Sequence, residues 1–182
     1  EKLEKTRELH RKQRERSGLK VVSLVGYTNA GKSSLFNLLC EKSHVSKAKQ
    51  VKAHDMLFQT LDTTTRKITL DKGTDFLLSD TVGFIKNLPH HLVAAFKSTL
   101  EEAITADLLI NVVDVSELNY MEKILVVEDV LEDLGADLDK VITVLNKADL
   151  LEDIPAGGEE IYISAKTGLG LEALLTKIEG KL

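Results

Sequence analysis

Cysteine occurs once in the 182 residues, at Cys40, so no internal disulfide can hold this chain together. No apolar run approaches the roughly 18 residues that a membrane span needs. No charged and apolar leader of the secretory kind is present, so a soluble, cytoplasmic protein is the expectation. The chain has no internal repeat and no low-complexity tract. His90 and His91 are adjacent, which turns their side chains apart and argues against a metal pair. His10, His44 and His54 are scattered among polar residues. What is present is ordinary in amount: 43% apolar residues on a chain long enough for one domain with a substantial core.

The net charge of −5 is unevenly spread. Residues 1–18 carry Lys2, Lys5, Arg7, Arg11, Lys12, Arg14 and Arg16 against Glu1, Glu4, Glu8 and Glu15. They contain too few apolar residues to bury a face. Their composition favours helix, with a stop at Ser17-Gly18, and they are expected to form the basic end of a longer helix. Nucleic-acid binding is the alternative use of so many cations. A first residue that is not methionine suggests an excised fragment.

The rest of the chain is organised around Gly26-Tyr27-Thr28-Asn29-Ala30-Gly31-Lys32-Ser33. This fits the phosphate-loop pattern G-x-x-x-x-G-K-[ST] at every fixed position. Lys20–Val25 before it is β-branched and apolar, which predicts a buried strand. Ser34–Cys40 after it has apolar residues at helical spacing and would carry Cys40 on the apolar side. In such a loop the backbone N–H groups from Gly26 to Ser34, Asn29, Ala30 and Gly31 among them, would wrap phosphates. Lys32 would reach the β- and γ-phosphates, and the Ser33 hydroxyl would sit on Mg²⁺.

Further strands are expected at 66–70, 74–79, 108–113, 141–145 and 160–163, with helices at 92–105, 117–134 and 169–178. Asp71-Lys72-Gly73 marks a hairpin, giving one antiparallel edge strand. The expectation is therefore an α/β fold of the phosphate-loop NTPase kind, three layers α/β/α, around a mostly parallel six-stranded sheet. Residues 42–65 read as a long polar loop, and loops of that length in compact domains are usually functional.

Each further motif falls at the carboxyl end of a strand, where such sheets bind ligands. The strand 74–79 closes on Asp80, which would hold Mg²⁺ through a water opposite Ser33. Gly83 lets backbone approach a γ-phosphate. Asn146-Lys147-Ala148-Asp149 has the form N-K-x-D. A carboxylate at Asp149 can accept both the N1–H and the exocyclic amine of guanine, a pair of donors adenine lacks. Asn146 would tie this loop to neighbouring backbone, and the Lys147 stem would cover the base. Backbone N–H groups of Ser164-Ala165-Lys166 could reach the guanine carbonyl. A threonine among 60, 63, 64 and 65 could complete the Mg²⁺ shell and order the loop in one nucleotide state. Spacing does not choose among the four.

These residues, with Leu57–Asp62, Asp80-Thr81-Val82-Gly83-Phe84-Ile85 and Leu88–Phe96, make residues 19–182 resemble the GTPase domain of the HflX family, in the Obg–HflX group. The resemblance implies a Ras-like G domain binding GTP and GDP, with Mg²⁺ and slow hydrolysis. It implies Lys32, Thr60 and Gly83 as catalytic groups, Thr60 being its choice for the Mg²⁺-sensing threonine. It further implies action on the large ribosomal subunit, in splitting or rescuing ribosomes under stress. The fragment itself is expected to be a monomer. Residues 1–18 resemble the end of the family's linker helix. Phe84 stands where Ras-like enzymes carry a water-orienting glutamine. Thr63 stands where the family usually has proline. The short stretch after Asp149 is expected to be a loop. By position in the wider group, Asn29 is a candidate K⁺ ligand, the cation replacing an arginine finger. A phosphate-loop ATPase and a nucleotide-sensing RNA-binding module without hydrolysis are the alternatives. The N-K-x-D motif argues against the first.

Overall fold

The computed structural model describes residues 18–43, 64–71, 73–81, 100, 103–155 and 157–182. Of the expectations above, the basic segment up to residue 17, Thr60, Thr63, Gly83, Phe84, Leu88–Leu92 and most of the 92–105 helix lie outside them.

Six strands form one sheet in the order β2-β3-β1-β4-β5-β6. They are β1 (Lys20–Val25), β2 (Thr64–Thr69), β3 (Asp75–Asp80), β4 (Leu108–Asp114), β5 (Val141–Asn146) and β6 (Ile161–Tyr162). β2 runs antiparallel to β3 from the Thr64–Asp80 pair to the Thr69–Asp75 pair, and every other pairing is parallel. β1 and β4 lie in the middle of the sheet and are almost wholly buried, as their continuous apolar runs require.

Helices cover both faces. On one face α1 (Lys32–Lys42) and α3 (Leu171–Lys181) set Leu35, Phe36, Leu39, Leu171, Leu174 and Ile178 against Val22, Leu24, Phe76, Leu78, Ile110 and Val144. Cys40 packs half-buried at the margin of this cluster. On the other face α2 (Tyr120–Asp133) brings Val127 and Leu131 onto Val21, Val25 and Leu109, together with Leu100 and Ala103. Each such buried aliphatic side chain contributes about 1.5–3 kcal/mol of transfer free energy. The three-layer α/β/α expectation holds.

The boundaries differ in informative ways. α1 begins at Lys32, inside the phosphate-loop pattern, with Gly31 at its N-cap in left-handed geometry. α2 begins three residues later than expected, because Glu117 N–H and Tyr120 N–H close turns on Asp114 and Glu117 first. β2 begins at Thr64, so Thr64 and Thr65 belong to the edge strand and not to the preceding loop. β6 is two residues long; beyond it Ile163 N–H still bonds Leu145 O, but Ser164 N–H turns away to Leu169 O. After a short turn at Ala148–Leu150, the described residues up to β6 contain no helix, as expected for that edge.

Candidate functional site

Parallel pairing brings four strand ends to one edge of the sheet. Leu24 pairs with Asp80 across β1 and β3, and Asp114 pairs with Asn146 across β4 and β5. The loop that follows β1 therefore sits between a carboxylate on one side and the 146–149 loop on the other.

That loop is closely fitted to its neighbours. Gly26 has φ 134°, and a Cβ there would overlap the Val112 carbonyl oxygen. Gly31 has φ 96°, and a Cβ there would occupy the space of Asn146 Nδ2. Both positions thus require glycine for conformation and for room. Asn29 is left-handed at φ 63° and exposed, whereas Ala30 is buried. Lys32 is buried, and its Nζ donates to Gly26 O at 3.0 Å and Tyr27 O at 2.7 Å. Burial lowers the Lys32 ammonium below the ordinary lysine pKa, and the nearby Asp80 carboxylate opposes that shift. Ser33 and Ser34 are exposed on the first turn of α1.

Ser33 Oγ donates to Asp80 Oδ2 at 2.8 Å. The other oxygen, Asp80 Oδ1, is buried and has no hydrogen-bond partner among the described residues. Thr81 Oγ1 donates to Leu24 O at 2.5 Å and fixes the chain as it leaves β3. A hydroxyl and a carboxylate with a spare buried oxygen are the hard oxygen donors that Mg²⁺ selects. The residues present fit that ion.

Asn146 joins three loops. Its Nδ2 donates to Ala30 O at 2.8 Å, and its Oδ1 accepts Ala165 N–H at 2.9 Å. This is the backbone tie expected from the sequence. Lys147 is left-handed at φ 65°, and its Nζ reaches Asp114 Oδ2 at 2.5 Å. Asp149 is exposed. In the segment after β6, Ser164 N–H bonds Leu169 O and Ala165 N–H bonds Asn146, so both are engaged within the protein. Lys166, also exposed, is the member of that trio whose N–H has no partner among the described hydrogen bonds.

Sequence reasoning missed Asp114 and Lys123. Asp114 follows the same rule that picked out Asp80, an apolar strand closing on a carboxylate. Lys123 Nζ lies 5.0 Å above the Tyr27 ring and pairs with Glu117, tying α2 to the phosphate loop. No motif announces that contact. Beside it is a cavity of about 10 Å³ lined by Tyr27, Ala30, Asn111, Glu117 and Lys123.

The fold and this edge define a phosphate-loop α/β domain. Comparison with known proteins narrows the class. The sequence model of a family described as "50S ribosome-binding GTPase" matches residues 21–147. The chain belongs to that family. It is 52% identical over 183 residues to the GTPase HflX of Caldanaerobacter subterraneus subsp. tengcongensis, covering 100% of this chain and 41% of that one. It is 43% identical over 190 residues to the GTPase HflX of Escherichia coli, covering 100% and 43%. A GTP-binding protein from Sulfolobus solfataricus, solved in complex with GDP, superposes with a TM-score of 0.70 at 26% identity, covering 96% of this chain and 56% of that one. The chain thus spans less than half the length of the curated relatives it matches.

Proposed function

We propose that this domain binds GTP and GDP, hydrolyses GTP slowly with Mg²⁺, and reports its nucleotide state to the large ribosomal subunit. The observation that carries the reading is Asn146. By bonding Ala30 and Ala165 together, it holds a phosphate-gripping loop beside a loop whose exposed carboxylate, Asp149, can accept the two donors of guanine.

The roles follow from the residues. Lys32, now turned onto loop carbonyls, would transfer its ammonium to the β- and γ-phosphates and exchange two neutral acceptors for charged ones. The loop N–H groups from Asn29 to Ser34 would surround the phosphates at the start of α1, where the helix dipole favours negative charge. Ser33 and Asp80 would hold Mg²⁺, which when bound neutralises charge on the β- and γ-phosphates. Asp149 would read the base edge, the Lys147 stem would cover its face, and the Lys166 N–H remains for the base carbonyl. Thr60 and Gly83 would complete the γ-phosphate side, and Asn29 would bind K⁺. With Phe84 in the place of a water-orienting glutamine, hydrolysis by the domain alone should be slow, and contact with the ribosome should accelerate it. A ribosome-directed protein with these parts would work in the cytoplasm.

Calorimetric titration with GTP, GDP and ATP in the presence of Mg²⁺ tests the core of this. GDP and GTP should bind at least a hundredfold more tightly than ATP. Equal uptake of ATP, or no binding of any, would overturn it. Matched hydrolysis assays in KCl and NaCl test Asn29, and equal rates would exclude the K⁺ role.

A further inference from the structure

Asp114 ends β4 and is 7% exposed. Both its oxygens are used. Oδ1 accepts Ser116 Oγ at 2.6 Å and Ser116 N–H at 3.1 Å, and Oδ2 accepts the Lys147 ammonium at 2.5 Å. The strand ends are themselves joined, since Val115 N–H donates to Asn146 O at 3.0 Å. Lys147 leaves the backbone in left-handed geometry between Asn146 and Ala148, both buried. Its Cα is therefore fixed at the end of β5 while its Nζ is fixed at the end of β4. The four-carbon stem runs from one to the other, with its side chain 33% exposed.

A free lysine stem samples many rotamers, and a base docking on it would have to order it. Asp114 removes that freedom beforehand. A carboxylate this buried is costly unless paired, so the pair is not an incidental surface contact.

We infer that Asp114 is a positioning residue for base recognition, holding the Lys147 stem in place as a preformed wall of the purine site. This rests on the reading of Asn146–Asp149 as the base-recognition loop. Asp114 touches no ligand itself and acts through Lys147.

The test measures dissociation constants for GDP and ADP with the parent domain, Asp114→Asn and Lys147→Met. The parent should prefer GDP. Asp114→Asn should bind GDP roughly tenfold more weakly, the size of one lost charge-assisted hydrogen bond, with a smaller change for ADP. Lys147→Met keeps an apolar stem but has no ammonium to hold, so it should show a similar loss. The double variant should be no worse than either single change. A merely structural Asp114 would leave the GDP-to-ADP ratio unchanged in Asp114→Asn, and Lys147→Met would keep parental affinity; either result overturns the inference. Should Asp114→Asn fail to fold, Lys147→Met alone decides. A parent domain that does not distinguish GDP from ADP would instead sink the base reading on which the inference stands.

Discussion

Two polar side chains on β4 have opposite fates. Asn111 is fully buried, and neither its amide nitrogen nor its oxygen has a hydrogen-bond partner among the described residues. An unsatisfied buried polar group costs about 1–3 kcal/mol. Asn111→Val, a better strand former with no polar atom, should therefore raise stability by about 1 kcal/mol in urea unfolding. Asp114, three residues on, is fully satisfied. Burial alone would raise its carboxyl pKa, but hydrogen bonds from Lys147 and Ser116 and the lysine charge take it below the ordinary carboxylate value. A carboxyl lowered on folding adds stability above its unfolded pKa and loses it as pH falls through the folded value. The stability difference between the parent and Asp114→Asn should thus be full at neutral pH and shrink on the acid side of the usual aspartate range. A difference that grew on acidification would contradict the pairing.

At the scale of elements, what the sequence made legible was whatever repeats or fills a fixed spacing. The continuous apolar runs of β1, β4 and β5 announced buried parallel strands, and the Asp71–Gly73 turn announced the antiparallel edge. The phosphate loop announced itself because Gly26 and Gly31 are demanded by backbone geometry. Gly31→Ala should cost about 1–3 kcal/mol in chemical denaturation, from the strained φ and the collision with Asn146. Leu174→Ala in α3, at a wholly buried site, should cost about 2–5 kcal/mol. Leu125→Ala, on the exposed side of α2, should cost little. The short β6, the late start of α2 and the placement of Thr64 and Thr65 in β2 were not legible. Each is decided by a hydrogen bond to a distant strand or a local turn, which propensity does not encode. The pairing of Lys147 with Asp114 was hidden for the same reason: 33 residues separate them, and only the sheet brings them together.

At the scale of the whole molecule, nucleotide and fold should be linked. A ligand at a hundred times its dissociation constant stabilises a protein by about 2.7 kcal/mol. Thermal unfolding with GDP should show a rise of that order, larger with Mg²⁺ than without. Asp80→Asn should remove the Mg²⁺-dependent part and leave the rest. A parent domain whose melting ignores GDP would exclude the binding reading. Among the described residues no helix is long and apolar enough to cross a membrane. The curated relatives are more than twice as long as this chain, which covers 41% and 43% of the two named above.

Asn146 has one more consequence. Its amide fastens the loop after β1 to the segment after β6 across the crevice. That rim of the crevice is therefore latched by the protein's own bonds. Any factor that ejects a spent guanosine would gain little by prying that rim apart.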